Sequence, residues 1–407
     1  MLEAQFAFPQ VYYEPISYPD TLEIISMYPF NHDTILIGTT CDNSYYWGCA
    51  YITNDGGETW EYAGLQNHAI YCFLRGTGDT IYAGASMGVY RTVNYGASWD
   101  HITPITDNVA CLARFNSNVF FAGLVGGVLR SMDNGITWDT TLALDNASII
   151  NSVLIVSENE IYAGGTSYLV PGGGVFMTQN LGESWENIGL VSYNVQCLAK
   201  NQNDELFAGC YYSGLLKKSN DGGTWATVLP HKDVLSIIIN NDGIYIGCDN
   251  QSFLNGGIFF SSDDGLTWED YTFNITNKYV QKIIITNDQY FYSLSNSSIT
   301  IYGPPFYRSV NPVFIQENNI NPKMEIKIFP NPASSQITLD FGSYFINTGT
   351  YEIKIYNQSG QLIFQDSLII SSEHVSINLD REKIDTGVYY IQITTGNLRH
   401  LKKVIIL

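Results

Sequence analysis

Hydrophobic positions along this chain fall in short runs broken by polar turns. Val109–Ala113 (VACLA), Val119–Gly123 (VFFAG) and Gly127–Ser131 (GVLRS) follow one another with only a few polar or glycine residues between them. Short runs rich in Val, Phe, Tyr and Ile, bounded by Gly, Asn, Asp and Ser, predict β-strands. A polar turn comes next, and Trp138 opens a fourth strand. The unit is four short strands in about 40 residues, and it recurs along most of the chain.

The turn is the best-kept part of the unit. Its pattern appears as Thr53-Asn-Asp-Gly-Gly-Glu-Thr-Trp60, Thr92-Val-Asn-Tyr-Gly-Ala-Ser-Trp99 and Ser131-Met-Asp-Asn-Gly-Ile-Thr-Trp138. It returns as Thr178-Gln-Asn-Leu-Gly-Glu-Ser-Trp185 and Ser261-Ser-Asp-Asp-Gly-Leu-Thr-Trp268, with a shorter copy in Ser219-Asn-Asp-Gly-Gly-Thr-Trp225. The tryptophans are 39, 39, 47, 40 and 43 residues apart, and only Trp47 stands outside the repeat. The Asp or Asn is placed to accept backbone N–H groups, the Gly to supply a positive φ, and the Trp to cover the turn against the next unit. Repeated four-stranded units at this spacing predict a β-propeller. Six units carry the turn, from about Thr21 to Asn274. A seventh is expected in Val280–Val310, where Phe306-Tyr-Arg-Ser309 echoes Val89-Tyr-Arg-Thr92 without the turn or a fourth strand. Phe6–Ile16 is expected to supply that strand and close the ring, since closure removes exposed sheet edges. Seven closed blades are the expectation, and six with an irregular flap the alternative. The pattern resembles the Asp-box (BNR) repeat of sialidases, two-domain xyloglucanases, sortilin-type receptors and photosystem assembly factors. That resemblance implies the fold; it does not choose between enzyme and binder.

After Pro312 the pattern changes. Strands are predicted over Ile326–Phe341, Tyr351–Tyr356, Gln361–Asp366, Val375–Leu379, Val388–Thr394 and Leu401–Leu407, without the Trp turn. They read as a small immunoglobulin-like β-sandwich. The expected organisation is all-β: a seven-bladed propeller over 1–315, a linker over 316–324 and the sandwich over 325–407. Phe329-Pro-Asn-Pro-Ala333, Ile355-Tyr-Asn-Gln-Ser-Gly-Gln-Leu362, Gly387-Val-Tyr-Tyr-Ile-Gln-Ile393 and Lys402-Lys-Val-Ile-Ile-Leu407 resemble the type A C-terminal sorting domain of the type IX secretion system. The resemblance implies that residues 325–407 engage that machinery, and that the protein is secreted or displayed on the outer-membrane surface. The family also uses an N-terminal signal. Met1-Leu2-Glu3-Ala4-Gln5 lacks the basic start and apolar stretch of one, so the sequence is expected to begin after it.

Composition sharpens this picture. The chain has 407 residues, 45% hydrophobic and 14% charged, with 36 Gly and 29 Tyr, which suits strands and tight turns. It has 19 basic and 39 acidic residues, a net charge of −20. Lys323–Leu407 holds 8 of each, so the whole imbalance lies ahead of the last domain. Nucleic acid is excluded as a partner, because no basic run is present to neutralise phosphates. No apolar stretch is long enough for a transmembrane helix. Among 7 cysteines, Cys72, Cys111 and Cys197 share one strand pattern and are expected to be small buried residues, while Cys41 and Cys49 could bridge one loop.

Candidate chemistry gathers in the connections between second and third strands, which vary most in length. They carry Asp42, Tyr45, Tyr46 and Trp47 in Cys41–Cys49, Tyr168 in Thr166–Gly172, Tyr211 with Tyr212, and Asp249 with Phe253 in Cys248–Asn255. Aromatics beside Asp and Asn suit sugars, whose C–H faces stack on rings while their hydroxyls bond the polar groups. A glycan, peptide or surface protein is therefore the expected ligand of a monomer. No catalytic residue, metal ligand or cofactor is assigned. The sialidase resemblance stops at the fold: the Phe/Tyr-Arg-Ile-Pro motif is absent. The propeller's five arginines (Arg75, Arg91, Arg114, Arg130 and Arg308) sit at repeat-equivalent places. A xyloglucanase-like hydrolase using two carboxylates is the alternative, and an assembly factor with a protein partner a third reading. The six histidines (His32, His68, His101, His231, His374 and His400) are expected at the surface.

Overall fold

The structure, a computed structural model, describes residues 13–16, 23–40, 48–103, 105–145, 148–167, 173–220, 223–249, 256–286, 290–295, 306–309, 327–329, 336–340, 349–357, 362–370, 374–378, 386–395 and 398–406. All regular elements among them are β-strands. Contacts divide the chain into a unit of Tyr13–Arg308 and a second that holds Ser309–Leu407.

The first unit contains seven four-stranded sheets. Sheets 1 to 6 are consecutive meanders. Sheet 1 is Glu23–Pro29, Ile35–Thr40, Ala50–Thr53 and Glu61–Tyr62; sheet 2 is Ile70–Arg75, Ile81–Ala85, Gly88–Thr92 and Asp100–His101. Sheet 3 is Val109–Arg114, Phe120–Leu124, Gly127–Ser131 and Asp139–Ala143, close to the predicted runs. Sheets 4, 5 and 6 begin at Ser148, Asn194 and Asp233 and end at Gly189, Leu229 and Asp270. Sheet 7 is Val280–Ile285, Phe291–Ser295 and Phe306–Ser309, with the N-terminal Tyr13–Pro15 as its outer strand. The predicted strand Phe6–Ile16 is described only from Tyr13 onward.

The first strand of each sheet contacts the first strand of the next, and sheet 7 returns to sheet 1. One cluster joins Ile24, Met27, Ile35 and Ile37 of sheet 1 to Tyr292, Leu294 and Phe306 of sheet 7. Every first strand breaks register at the same place. There Ser26, Cys72, Cys111, Ser152, Cys197 and Ser236 lie opposite Gly38, Gly84, Gly123, Gly164, Gly209 and Gly247. At four of these positions the small side chain reaches the next sheet: Ser26 Oγ donates to Ile70 O at 2.5 Å and Cys111 Sγ to Ile150 O at 3.7 Å, with Cys72 and Cys197 4.0 Å from Val109 O and Val234 O. Sheet 7 departs from the rule with Lys282 opposite Leu294. The repeated cysteines are thus interface residues, and burial pushes the thiols of Cys72, Cys111 and Cys197 up to about 12. Cys49 is buried with a free thiol; Cys41, which the sequence offered as its bridge partner, lies outside the described residues.

The eight-residue turn closes through its own side chains. Ser131 Oγ donates to Asp133 Oδ1 at 2.8 Å and receives Gly135 N at 2.8 Å; Thr137 N and Oγ1 donate to Asp133 at 2.8 and 2.6 Å. The tryptophans face the preceding sheet and not, as expected, the next. Trp99 Nε1 donates to Ala63 O at 2.7 Å and Trp225 Nε1 to Ile188 O at 3.1 Å. The cause is the turn, which leans back: Gly135 lies against Ile102 and Gly265 against Val228 of the sheet before.

In the second unit, Lys327–Phe329, Gln336–Asp340 and His374–Asn378 form a three-stranded sheet. Leu362–Ile370, Gly349–Asn357, Gly387–Thr395 and Leu398–Ile406 form a four-stranded one. Ile337, Leu339 and Ile377 of the first share a core with Ile353, Ile355, Ile391, Ile393 and Val404 of the second. The predicted run Ile326–Phe341 is two paired strands, Lys327 opposite Asp340, because Pro330 and Pro332 interrupt the ladder that a single strand would need.

Candidate functional site

The register shows which second-to-third connections are short. Ala85 pairs with Gly88 and Leu124 with Gly127, so sheets 2 and 3 turn at once. In sheets 1, 4, 6 and 7 the paired ends are Gly38 with Ala50, Gly165 with Gly174, Cys248 with Gly257 and Leu294 with Phe306. The long connection of sheet 7 was not singled out from the sequence, although Tyr302 lies within it. Asp42, Tyr45, Tyr46, Trp47, Tyr168 and Phe253 all lie outside the described residues.

The three remaining candidates come together between sheets 5 and 6. Tyr211 ends the second strand of sheet 5 and Tyr212 follows it, with ring centroids 4.3 Å apart in an edge-on arrangement. Asp249 ends the second strand of sheet 6, and its cross-strand partner is Asp233. Both carboxylates are buried, at 4% and 2% exposure. Residues directly opposite in an antiparallel pair project to the same side with Cβ atoms about 5 Å apart. Asp233 Oδ1 accepts the Tyr212 backbone N–H at 2.5 Å, which holds Tyr212 in the left-handed region at φ 64°. The Tyr212 ring is 65% exposed on that anchored base.

Electrostatics keeps this corner protonated where it can be. Burial, then the charges of Asp249, Tyr212 and Asp233, push the Tyr211 phenol well above its ordinary value, so it remains an O–H donor. Burial likewise raises the Cys248 thiol. Lys232 lies 4.0 Å over the Phe259 ring, and burial lowers its pKa. The corner therefore offers an exposed ring on a rigid polar base. Asp233 escaped sequence reasoning: an acid opening the apolar run Asp233–Ile239 is visible, but its place beside Asp249 depends on register.

Other candidates have structural duties. Arg130 Nη1 donates to Leu181 O at 2.6 Å and Arg91 Nη2 to Asp100 at 3.0 Å. Arg308 holds Glu14, His32 O and Gly56 O. His68, expected at the surface, is half-buried, with Nδ1 3.0 Å from Ser86 O and its ring against Tyr90. No group of three or more acidic, His or Cys side chains suited to a metal occurs among the described residues.

Comparison with known proteins separates the two units. Residues 327–407 match the family described as Secretion system C-terminal sorting domain. The protein is therefore secreted or held at the outer-membrane surface, and no helix among the described residues is long and apolar enough to cross a membrane. No curated protein matches the chain by sequence. Similar solved structures include PorZ, an essential bacterial surface component of the type IX secretion system of Porphyromonas gingivalis. It has 12% identity and a TM-score of 0.54, over 93% of this chain and 58% of that one. The extracellular domain of a putative hybrid two component system from B. thetaiotaomicron has 13% identity and a TM-score of 0.56, over 97% and 57%. A GH74 xyloglucanase from Xanthomonas campestris has 13% identity and a TM-score of 0.53, over 81% and 59%. This chain spans under two thirds of each of them, and at such identity the likeness shows a β-propeller-like fold alone.

Proposed function

We propose that the protein is a closed seven-bladed Asp-box propeller over residues 1–315 that binds an extracellular ligand at its long-loop face. Residues 325–407 form an immunoglobulin-like domain that engages the type IX machinery and delivers the propeller as a monomer. The observation that carries the binding reading is the exposed Tyr212 ring, fixed by Asp233 beside Tyr211 where a long connection leaves sheet 6. Rings held rigidly lose little entropy on contact and suit the faces of sugars or the side chains of a peptide. Trp47 is the natural companion in the sequence, being the tryptophan that the repeat does not employ.

A glycan array probed with the full chain tests the sugar form of this reading. Tyr212→Ala and Trp47→Ala should each lower retention of any bound glycan at least tenfold while leaving the melting temperature within a few degrees. An empty array, or a glycan retained equally by both variants, removes it in favour of a protein partner found by pull-down. The hydrolase alternative gains only fold likeness from the xyloglucanase, and a reducing-end assay over plant and host polysaccharides decides it.

A further inference from the structure

The opposite face, where the eight-residue turns lie, holds an open groove of about 260 Å³ between sheets 1 and 2. Phe30, Asn31, Thr34 and Asn54 line it from sheet 1, and Arg75 and Tyr95 from sheet 2. Arg75 is exposed, and its guanidinium has no hydrogen-bond or ion-pair partner among the described residues. Arg91, Arg130, Arg308, Lys200 and Lys217 are engaged; Arg114, which ends the first strand of sheet 3 as Arg75 ends that of sheet 2, is only half-buried and does not line the groove. Asp79 accepts the Tyr95 hydroxyl at 2.7 Å and Asp33 Oδ1 lies 2.7 Å from His32 Nδ1; neither carboxylate lines the groove.

Tyr95 supplies a second, independent observation. It stands at the fourth position of its turn, where φ is positive in every described copy: Gly56 at 73°, Asn134 at 64°, Leu181 at 51° and Asp264 at 56°. Gly, Asn and Asp tolerate that conformation; a bulky aromatic residue is strained in it. Leu181 is packed into the core of its neighbours. Tyr95 is 43% exposed at φ 55°, with its ring 5.4 Å from Phe30 at the groove wall. Strain kept at an exposed position points to a task for the side chain.

We propose that this groove binds a glycan through a single sugar carboxylate, that is, a uronate residue. The planar carboxylate takes the Arg75 guanidinium in a two-point contact, the C–H face of the ring lies on Tyr95 and Phe30, and Asn54 and Thr34 meet the hydroxyls. The net charge of −20 still repels long polyanions, so one carboxylate flanked by neutral sugars is the fitting ligand.

Calorimetric titration of the full chain with a glucuronate-containing disaccharide, and with its neutral glucose counterpart, tests this. Saturable binding of the uronate, at least tenfold tighter than the neutral sugar and weakened at least tenfold by Arg75→Gln, is the expected result. Tyr95→Gly should also weaken binding but unfold no earlier than the parent, since glycine relieves the strained turn. Tyr212→Ala and Trp47→Ala should leave uronate affinity unchanged, which separates this groove from the opposite face. Absence of saturable uronate binding, equal binding of both sugars, or unchanged affinity in Arg75→Gln overturns the proposal.

Discussion

The carboxylate of Asp133 shows how one residue fixes a turn. It accepts two hydroxyls and the backbone N–H groups of Ile136 and Thr137. Where the turn has Asp, the hydroxyl four positions on belongs to Thr; where it has Asn, as at Asn94 and Asn180, it belongs to Ser. In the second arrangement the amide donates, with Asn94 Nδ2 2.9 Å from Ser98 Oγ. Both close the turn, but only the first titrates. The bonds from Thr137 and Ser131 hold Asp133 down to about 2, and those from Thr53 and Thr59 hold Asp55 well below the usual carboxylate range. At Asp263 partial burial acts upward and is outweighed by the bonds from Thr267 and Ser261. A carboxylate depressed by folding stabilises the native state fully above its unfolded value of 3.8, and that contribution is lost as pH falls toward the folded value. Asp133→Asn should therefore leave the melting temperature at pH 7 nearly unchanged and flatten its decline between about pH 4 and 2. Thermal melts across that window check it; superimposable profiles for parent and variant would sink the idea.

At the scale of elements, the first strands are governed by a close approach that the sequence reveals only in part. The repeated cysteines were legible as small buried residues, because they recur in YCFLR, ACLAR and QCLAK. Their glycine partners were not, since the match of Cys111 with Gly123 depends on cross-strand register. A methyl group at Gly123 would sit 2.5 Å from Cys111 Sγ and 2.7 Å from Ile150 O, and backbone cannot yield as a side chain can. Gly123→Ala should cost about 2 kcal/mol or more from overpacking. Cys111→Ser should cost under about 1 kcal/mol, because Ser26 and Ser236 occupy the same position in sheets 1 and 6. Urea unfolding of both variants gives the comparison; equal losses would mean that the thiol, and not the space, matters. The direction in which each Trp leans was likewise hidden, because repeat spacing says nothing about which neighbour a turn meets.

For the whole molecule, the sheets were legible because each unit repeats its turn, while the last had to be inferred from what it lacks. Phe306-Tyr-Arg-Ser309 supplied an arginine at the right place, but its partners come from the far end of the chain and from sheet 1. The long-loop face was legible in composition only; its register partner Asp233 was not. Arg308 is the residue in which these distances meet. Its Nε bonds Glu14 of the N-terminal strand, and its Nη1 reaches His32 O at 2.9 Å and Gly56 O at 3.3 Å. Arg130 makes the matching bond to Leu181 O one unit on, so the last sheet is held to the first by the same device that joins sheets 3 and 4. With the residue only 8% exposed, those carbonyls lose their donor if it is removed. Arg308→Ala should cost about 2–3 kcal/mol, the range for hydrogen bonds to a charged group. Glu14→Gln should cost under about 1 kcal/mol, because its side chain is 40% exposed and the pair is screened by water. If Arg308 ties the chain ends together, limited proteolysis should also release the N-terminal segment faster in Arg308→Ala than in Glu14→Gln. Equal stability and equal cleavage in the two variants would show that the apolar contact of Ile16, Ile24 and Phe306 closes the molecule without the arginine.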